Sequence, residues 1–345
     1  MRVGVVKDDI FLKHDPGSYH PESPLRLESI YSGIEDKMIA EKLEFLTPRE
    51  ATFEELLWNH TKEYIEKIAS TDGQARVMLD PDTSTSPMSY KAALKAVGAQ
   101  FVALDAIFED RLDAVFALVR PPGHHAEKDR AMGFCLFNNI ALAAHYAIEK
   151  YNIKRILIVD WDLHHGNGTQ HSFYDTSKVL YFSTHQYPYY PGTGSINEIG
   201  EKEGEGYTVN VPLNAGCGDV EYVAVFRKIL TPVCLKYKPE IIMVSAGFDI
   251  YYQDPLGGMS VTPSGVAYLT KIVKDLANKC CNGKILLTLE GGYNLKGLLE
   301  CVVAVIKELL GEKAIFDDDL KKLENSDSDI DVIKQVQSTF KGIYF

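Results

Sequence analysis

The chain has 345 residues, with 36 basic and 48 acidic side chains and a net charge of -12. That balance argues against a phosphate-neutralising nucleic-acid surface and suits cationic substrates, while 46% apolar residues are ample for a buried core. No apolar run approaches the roughly 20 residues of a membrane-spanning helix. The first residues, Met1 to Val6, run straight into Lys7-Asp8-Asp9, so no signal-peptide apolar region is expected and the reading is a cytoplasmic protein. The six cysteines (Cys135, Cys217, Cys234, Cys280, Cys281 and Cys301) form no C-x-x-C pair and read as reduced, mostly buried thiols.

In chain order, residues 3–6 can open a sheet, and 52–70 read as an amphipathic helix packed outside it. An Ala-rich helix over 89–108 precedes a strand at 114–119. A helix at 137–151 then leads to strands at 156–159, 179–183 and 207–211. After these come a helix at 220–237, a strand at 241–245, a helix at 263–280, a strand at 285–289 and a helix at 295–310. Short, continuously apolar, β-branched runs alternating with longer helical patterns define an α/β fold. Its sheet is mostly parallel and covered by helices on both faces. Nothing splits the sequence into separate units, so residues 1–311 are expected to form a single catalytic domain. The charged segment 312–345 is expected to pack peripherally as helix and loop.

The residues just past each strand carry the chemistry. After 114–119 comes Arg120-Pro121-Pro122-Gly123-His124-His125, and after 156–159 comes Asp160-Trp161-Asp162-Leu163-His164-His165-Gly166-Asn167-Gly168. The run 241–245 leads to Ala246-Gly247-Phe248-Asp249, and 285–289 to Glu290-Gly291-Gly292-Tyr293-Asn294. Open parallel sheets place ligands at the carboxyl ends of their strands, where all four segments would meet. If the second strand persists, Asp160, Asp162 and His164 project to one face. With Asp249 they offer the mixed N and O donors of a three-ligand catalytic zinc site with one open position. Burying such a string beside an apolar strand requires a cation to offset desolvation. The His124-His125 pair can supply the base and acid of amide hydrolysis, and Asp160 can fix one ring's tautomer. Tyr293, on a glycine turn, can donate to a developing oxyanion. His14, His20, His60, His145, His171 and His185 read as surface or structural residues.

Assembled, these motifs closely resemble the zinc-dependent histone deacetylase family, including its bacterial deacetylase-like and acetylpolyamine amidohydrolase members. The likeness runs over about residues 1–311 and includes His20-Pro21-Glu22, Gly133-Phe134-Cys135 and Pro191-Gly192-Thr193-Gly194. Trp161 and Asn167 match the class II branch. The resemblance implies an arginase-like three-layer fold with about eight strands. It implies Zn2+ on Asp162, His164 and Asp249, with His125 as general base and then acid. His124 would be an electrostatic partner oriented by Asp160, and Tyr293 would polarise the acyl carbonyl. Phe134 and Tyr190 would wall a tunnel beside Gly133 and Gly292, with Asp82 on the rim holding substrate backbone. K+ or Na+ would sit on Asp160, Asp162, His164 and Ser183, and again on Phe173, Thr176, Val179 and Tyr207. The implied substrates are acyl-lysine peptides or proteins, or small acyl amines, with no nucleic acid and no membrane, and with homo-oligomers left open. Three departures stand out. Asn167 replaces an aspartate behind the acid/base histidine, Tyr190 replaces a common phenylalanine, and Leu256 stands where a polyamine-selective relative carries an acidic gatekeeper. Two rivals remain at this point. One is a two-manganese ureohydrolase, against which Asp249 lacks a second aspartate two residues earlier and His165 replaces an acid. The other is a non-catalytic acyl-lysine reader.

Overall fold

The continuously apolar runs are buried on both faces in the computed structural model, which describes residues 1–345. Ten strands form: β1 (Val3–Val6), β2 (Leu43–Leu46), β3 (Val77–Met78), β4 (Ser84–Thr85), β5 (Ala114–Ala117), β6 (Ile156–Asp160), β7 (Val179–Gln186), β8 (Thr208–Leu213), β9 (Ile241–Ala246) and β10 (Ile285–Leu289). Eight of them make one sheet in the order β2-β1-β5-β10-β9-β6-β7-β8, with every pairing parallel. Helices cover it on both sides, because parallel neighbours need crossovers and a sheet apolar on both faces must bury both. β3 and β4 form a separate antiparallel ribbon. The order matters for chemistry: β5, β10, β9 and β6 are consecutive neighbours at the centre, and they are the four strands whose carboxyl ends carry the His, Asp and Tyr motifs.

The structure departs from the sequence reading in several places, each with a local cause. β2 was not foreseen; it is a four-residue edge strand whose two middle residues, Glu44 and Phe45, face solvent. β6 ends at Asp160, so Asp162 and His164 are delivered by a turn and not by a continued strand. That turn is held by the Asp162 amide donating to Asp160 Oδ1 at 3.1 Å and the His164 amide donating to Asp162 Oδ1 at 2.8 Å. The helix expected over 52–70 is two helices, Phe53–Leu56 and Lys62–Ala69. Thr61 restarts the backbone by capping Tyr64, and the buried His60 ring accepts from the Asn138 amide at 3.0 Å. The helix expected over 220–237 passes through a π turn at Phe226–Leu230. Pro232 has no N–H to give Lys228, and the freed Lys228 carbonyl accepts from Gln337 Nε2 at 3.2 Å.

Gln337 belongs to the last of two helices in the charged tail, Asp317–Glu324 and Asp331–Thr339. Leu323, Ile333, Val336 and Phe340 of this tail are buried in the same apolar core as the sheet. All six cysteines are free, with Cys135, Cys234, Cys281 and Cys301 buried. No helix is long and apolar enough to cross a membrane.

Candidate active site

Asp162, His164 and Asp249 offer one ligand atom each, all within 4.8 Å of one another. Their positions follow from register: Asp160 at the end of β6 lies opposite Ser245 in β9, so the turns after both strands open at one level. The His164 ring lies 3.2 Å from Asp162 Oδ1 and 3.1 Å from Asp249 Oδ2 through Nδ1. The other carboxylate oxygens are fixed by backbone: Leu163 N–H donates to Asp249 Oδ1 at 2.9 Å, and Gly291 N–H to Asp162 Oδ2 at 2.8 Å. A Cβ at Gly291 would collide with both carboxylates, so only glycine permits this approach.

Both aspartates are completely buried. Burial and the neighbouring Asp162 push the Asp249 carboxyl up to about 7. Burial opposes charge on His164 too, yet its two carboxylate partners raise it to about 9. In Asp162 burial is outweighed by His124 and His164, which hold the carboxyl well below its usual range. Two buried carboxylates converging on an imidazole favour a positive charge between them, which a bound cation can supply in place of a proton. The donor set of two oxygens and one nitrogen fits a zinc ion with an open coordination position.

The histidine pair sits directly above. The Glu290 carboxylate accepts from the Gly123 and His124 amides at 2.7 and 3.2 Å, which fixes the turn after β5. His124 Nδ1 lies 3.1 Å from Asp160 Oδ2, which also accepts from the Tyr181 hydroxyl at 2.9 Å. Burial disfavours its charged form, but Asp162 and Asp160 overcome this and raise His124 to about 10. Burial and the adjacent His124 instead hold His125 well below the usual imidazole value. Its Nδ1 lies 2.7 Å from Asn167 Oδ1. The two rings, 4.0 Å apart between centroids and tilted by 46°, are therefore pushed in opposite directions, one toward its cationic form and the other toward the free base.

A cavity of about 90 Å3 opens over this floor, lined by Asp82, His124, His125, Gly133, Phe134, His164, Tyr190, Leu256, Gly291 and Tyr293 among others. Tyr190 stands edge-on to His125 at 5.1 Å, and Phe134 edge-on to Tyr293 at 5.9 Å. The Tyr293 ring rests under the Arg26 guanidinium at 5.0 Å, and its hydroxyl makes no hydrogen bond within the chain. Gly292 itself lies behind the wall, at φ 115°, with Gly291 facing the cavity. The half-buried Asp82 accepts from the Gly133 amide at 3.2 Å and from the Thr83 hydroxyl at 2.8 Å, so it ties the aromatic wall to the rim.

The remaining sequence-named positions lie away from this cavity. Ser183 in β7 is opposite Asp160, its hydroxyl 2.9 Å from His185 Nδ1. Phe173 and Thr176 share a turn, with the Thr176 amide donating to the Phe173 carbonyl at 3.3 Å; Val179 starts β7, and Tyr207 precedes β8, where its carbonyl accepts from the Tyr181 amide. Three supporting acids went unassigned in the sequence reading. They are Glu290, Asp254, which accepts from the Tyr293 and Asn294 amides at 2.6 and 3.0 Å, and Glu127 behind Asn167.

Fold and site together define a histone deacetylase domain: that family matches residues 20–309, and the chain belongs to it. Among solved structures, the HDA15 HD domain superposes with a TM-score of 0.89 at 38% identity, covering 99% of this chain and 95% of that one. Histone deacetylase 5 of Arabidopsis thaliana is 39% identical over 332 residues, 91% of this chain and 50% of the relative. A probable deacetylase of Archaeoglobus fulgidus is 38% identical over 301 residues, 87% of this chain and 83% of the relative. The chain thus spans about half the length of several curated relatives it matches.

Proposed function

We propose that the chain is a zinc-dependent deacetylase that hydrolyses the N-acetyl or N-acyl amide of lysine side chains or related amines. The observation that carries this reading is the placement of a three-donor cation seat, a histidine pair backed by Asp160 and Asn167, and an unpaired phenol around one narrow cavity. Asp162, His164 and Asp249 would hold the ion. Zinc bound there supplies Lewis-acid polarisation of the acyl carbonyl and lowers the pKa of the attacking water.

The chain's own residues do the rest. The flat walls of Phe134 and Tyr190 accept an aliphatic stem and exclude bulk water. Tyr293 donates its unshared hydroxyl proton as a hydrogen bond to the acyl oxygen while negative charge develops there. His125, with Nδ1–H held by Asn167, offers the Nε2 lone pair and takes one proton from water as the oxygen attacks the acyl carbon. His124, kept cationic by Asp160, steadies the negative charge so formed. The proton on His125 Nε2 then passes to the amide nitrogen, the C–N bond breaks, and carboxylic acid and free amine leave. K+ or Na+ bound by Asp160, Asp162, His164 and Ser183, and by Phe173, Thr176, Val179 and Tyr207, would brace the two turns.

A lysine substrate is favoured over a long polyamine because Leu256, an apolar residue, lines the cavity at the gatekeeper position. One metal-competent group of acids and histidines is formed, which favours a single ion over a two-manganese ureohydrolase. Acetyl-lysine peptides, acetylputrescine, acetylspermidine and longer acyl-lysines, assayed with and without chelator, form the test. Turnover of the lysine peptides that is lost on chelation and regained with zinc supports the reading. No turnover overturns it, and turnover of the polyamines alone overturns the preference for lysine.

A further inference from the structure

Behind the general-base candidate lies a second acid. Asn167 Oδ1 faces His125 Nδ1 at 2.7 Å, while its Nδ2 donates to Glu127 Oε1 at 2.5 Å and to the His125 carbonyl at 3.3 Å. Glu127 is 9% exposed and is gripped from outside by His171 Nδ1, at 2.9 and 3.1 Å from its two oxygens. His171, half-exposed, stands in a surface cleft of about 340 Å3 that Glu127 also lines.

An asparagine amide is ambiguous by itself, because rotating it by half a turn exchanges donor and acceptor. A carboxylate removes the ambiguity. It accepts only, so the amide must turn its NH2 outward and its oxygen inward, and the inward oxygen requires a hydrogen on His125 Nδ1. The lone pair is thereby left on Nε2, facing the cavity. An aspartate in place of Asn167 would accept on both sides and need no such director. We infer that Glu127 is a positioning residue that sets the tautomer of His125 through the orientation of the Asn167 amide, with His171 as its outer clamp.

The inference rests on His125 being the proton carrier proposed above, and the test separates the two. Glu127→Gln is isosteric but pairs with either orientation of the asparagine amide. Histidine-ring 15N NMR of the metal-free protein should show His125 as the Nδ1–H form in the wild type and as a mixture in the variant. In the zinc-loaded protein, kcat on an acetyl-lysine peptide should fall about 10-fold with KM unchanged, the scale seen when a partner behind an active-site histidine is lost. Asn167→Asp added to Glu127→Gln restores one sense of hydrogen bonding, since the glutamine amide donates to the carboxylate and the carboxylate accepts from His125. The double variant should therefore recover to within about threefold of wild type, a rescue no merely structural loss would give. A wild-type ring spectrum and wild-type kcat in Glu127→Gln, or a double variant no better than the single, overturns the inference. Wild-type protein inert on every acyl amine refutes the proposed activity, while the ring spectra still decide the role of Glu127.

Discussion

Asp254 provides a sharp test of how the phenol is held. One of its oxygens accepts from the Tyr293 and Asn294 amides at 2.6 and 3.0 Å, and the other accepts from the Leu256 amide at 2.9 Å. The side chain is 7% exposed and joins the glycine turn carrying Tyr293 to the loop carrying Leu256. Asp254→Ala strips the acceptor from all three amides. A hydrogen bond to a charged group contributes about 1.5–3 kcal/mol, but the three amides lie in half-buried residues and regain some water. The net loss is therefore put at about 3 kcal/mol, well short of the simple sum. For a chain of this size that lowers Tm by about 4 °C. The larger effect is on rate, since a displacement of about 1 Å of a reacting group can cost on the order of 100-fold in kcat. Asp254→Asn keeps an acceptor oxygen and should fall between the two. Thermal melting and steady-state kinetics on an acetyl-lysine peptide read both quantities. An Asp254→Ala protein with unchanged Tm and unchanged kcat refutes the assignment of this carboxylate as the strut of the Tyr293 turn.

Three further outcomes are expected. Tyr293→Phe keeps the ring against Phe134 and Arg26 and removes only an unpaired hydroxyl, so Tm stays level while kcat drops about 100- to 1,000-fold; a matching loss of Tm would point to a structural role instead. Zinc should stabilise the metal-free chain by about 4 kcal/mol at a free concentration 1,000 times its Kd. Gly291→Ala, which pushes a methyl between Asp162 and Asp249, should abolish that stabilisation in a melting titration. The third outcome concerns pH. The hydrogen bond that His171 donates to Glu127 raises the imidazole above 6.5, while burial of Glu127 is outweighed by His171, which lowers its carboxyl. The raised histidine contributes stability below its unfolded value that is lost as pH rises through the folded value. The lowered carboxylate contributes stability above its own unfolded value that is lost on acidification. Wild type should therefore exceed His171→Ala in Tm most clearly near pH 5–6, by the equivalent of less than about 1 kcal/mol for a pair whose histidine is half-exposed. The difference should fade above neutrality, and a gap that widens toward pH 9 would contradict the pairing.

The fold was legible in the sequence wherever burial on both faces left a continuous apolar run, as in 156–159 or 285–289. β2 escaped because an edge strand buries only part of its surface, and Leu43-Glu44-Phe45-Leu46 has no such signature. The metal-competent residues and the histidine pair were legible because strand ends concentrate them within short, glycine-flanked strings. The manner of their delivery was not: β6 stops at Asp160, and it is backbone hydrogen bonding in a turn, with no strand alternation involved, that aims Asp162 and His164. Glu127, Asp254 and Glu290 were missed as supports for a different reason. Each is a single acid whose meaning lies in amides or side chains 39 to 167 positions away, as for Asp254 with Tyr293 and Glu290 with Gly123. Pro232 was visible in the sequence, but the hydrogen bond from Gln337 to the Lys228 carbonyl beside it, a contact 109 positions long, was not.

That last contact has a practical corollary for anyone trimming the gene. The terminal helices hydrogen-bond the Lys228 carbonyl, bury Ile333, Val336 and Phe340, and through Tyr344 reach the Gly206 carbonyl at 3.0 Å, two residues ahead of the outermost strand β8. Deleting everything past Gly311 would spare every residue that faces the cavity. It would also uncover an oily flank beside an unprotected sheet margin, the combination that turns soluble chains into aggregates.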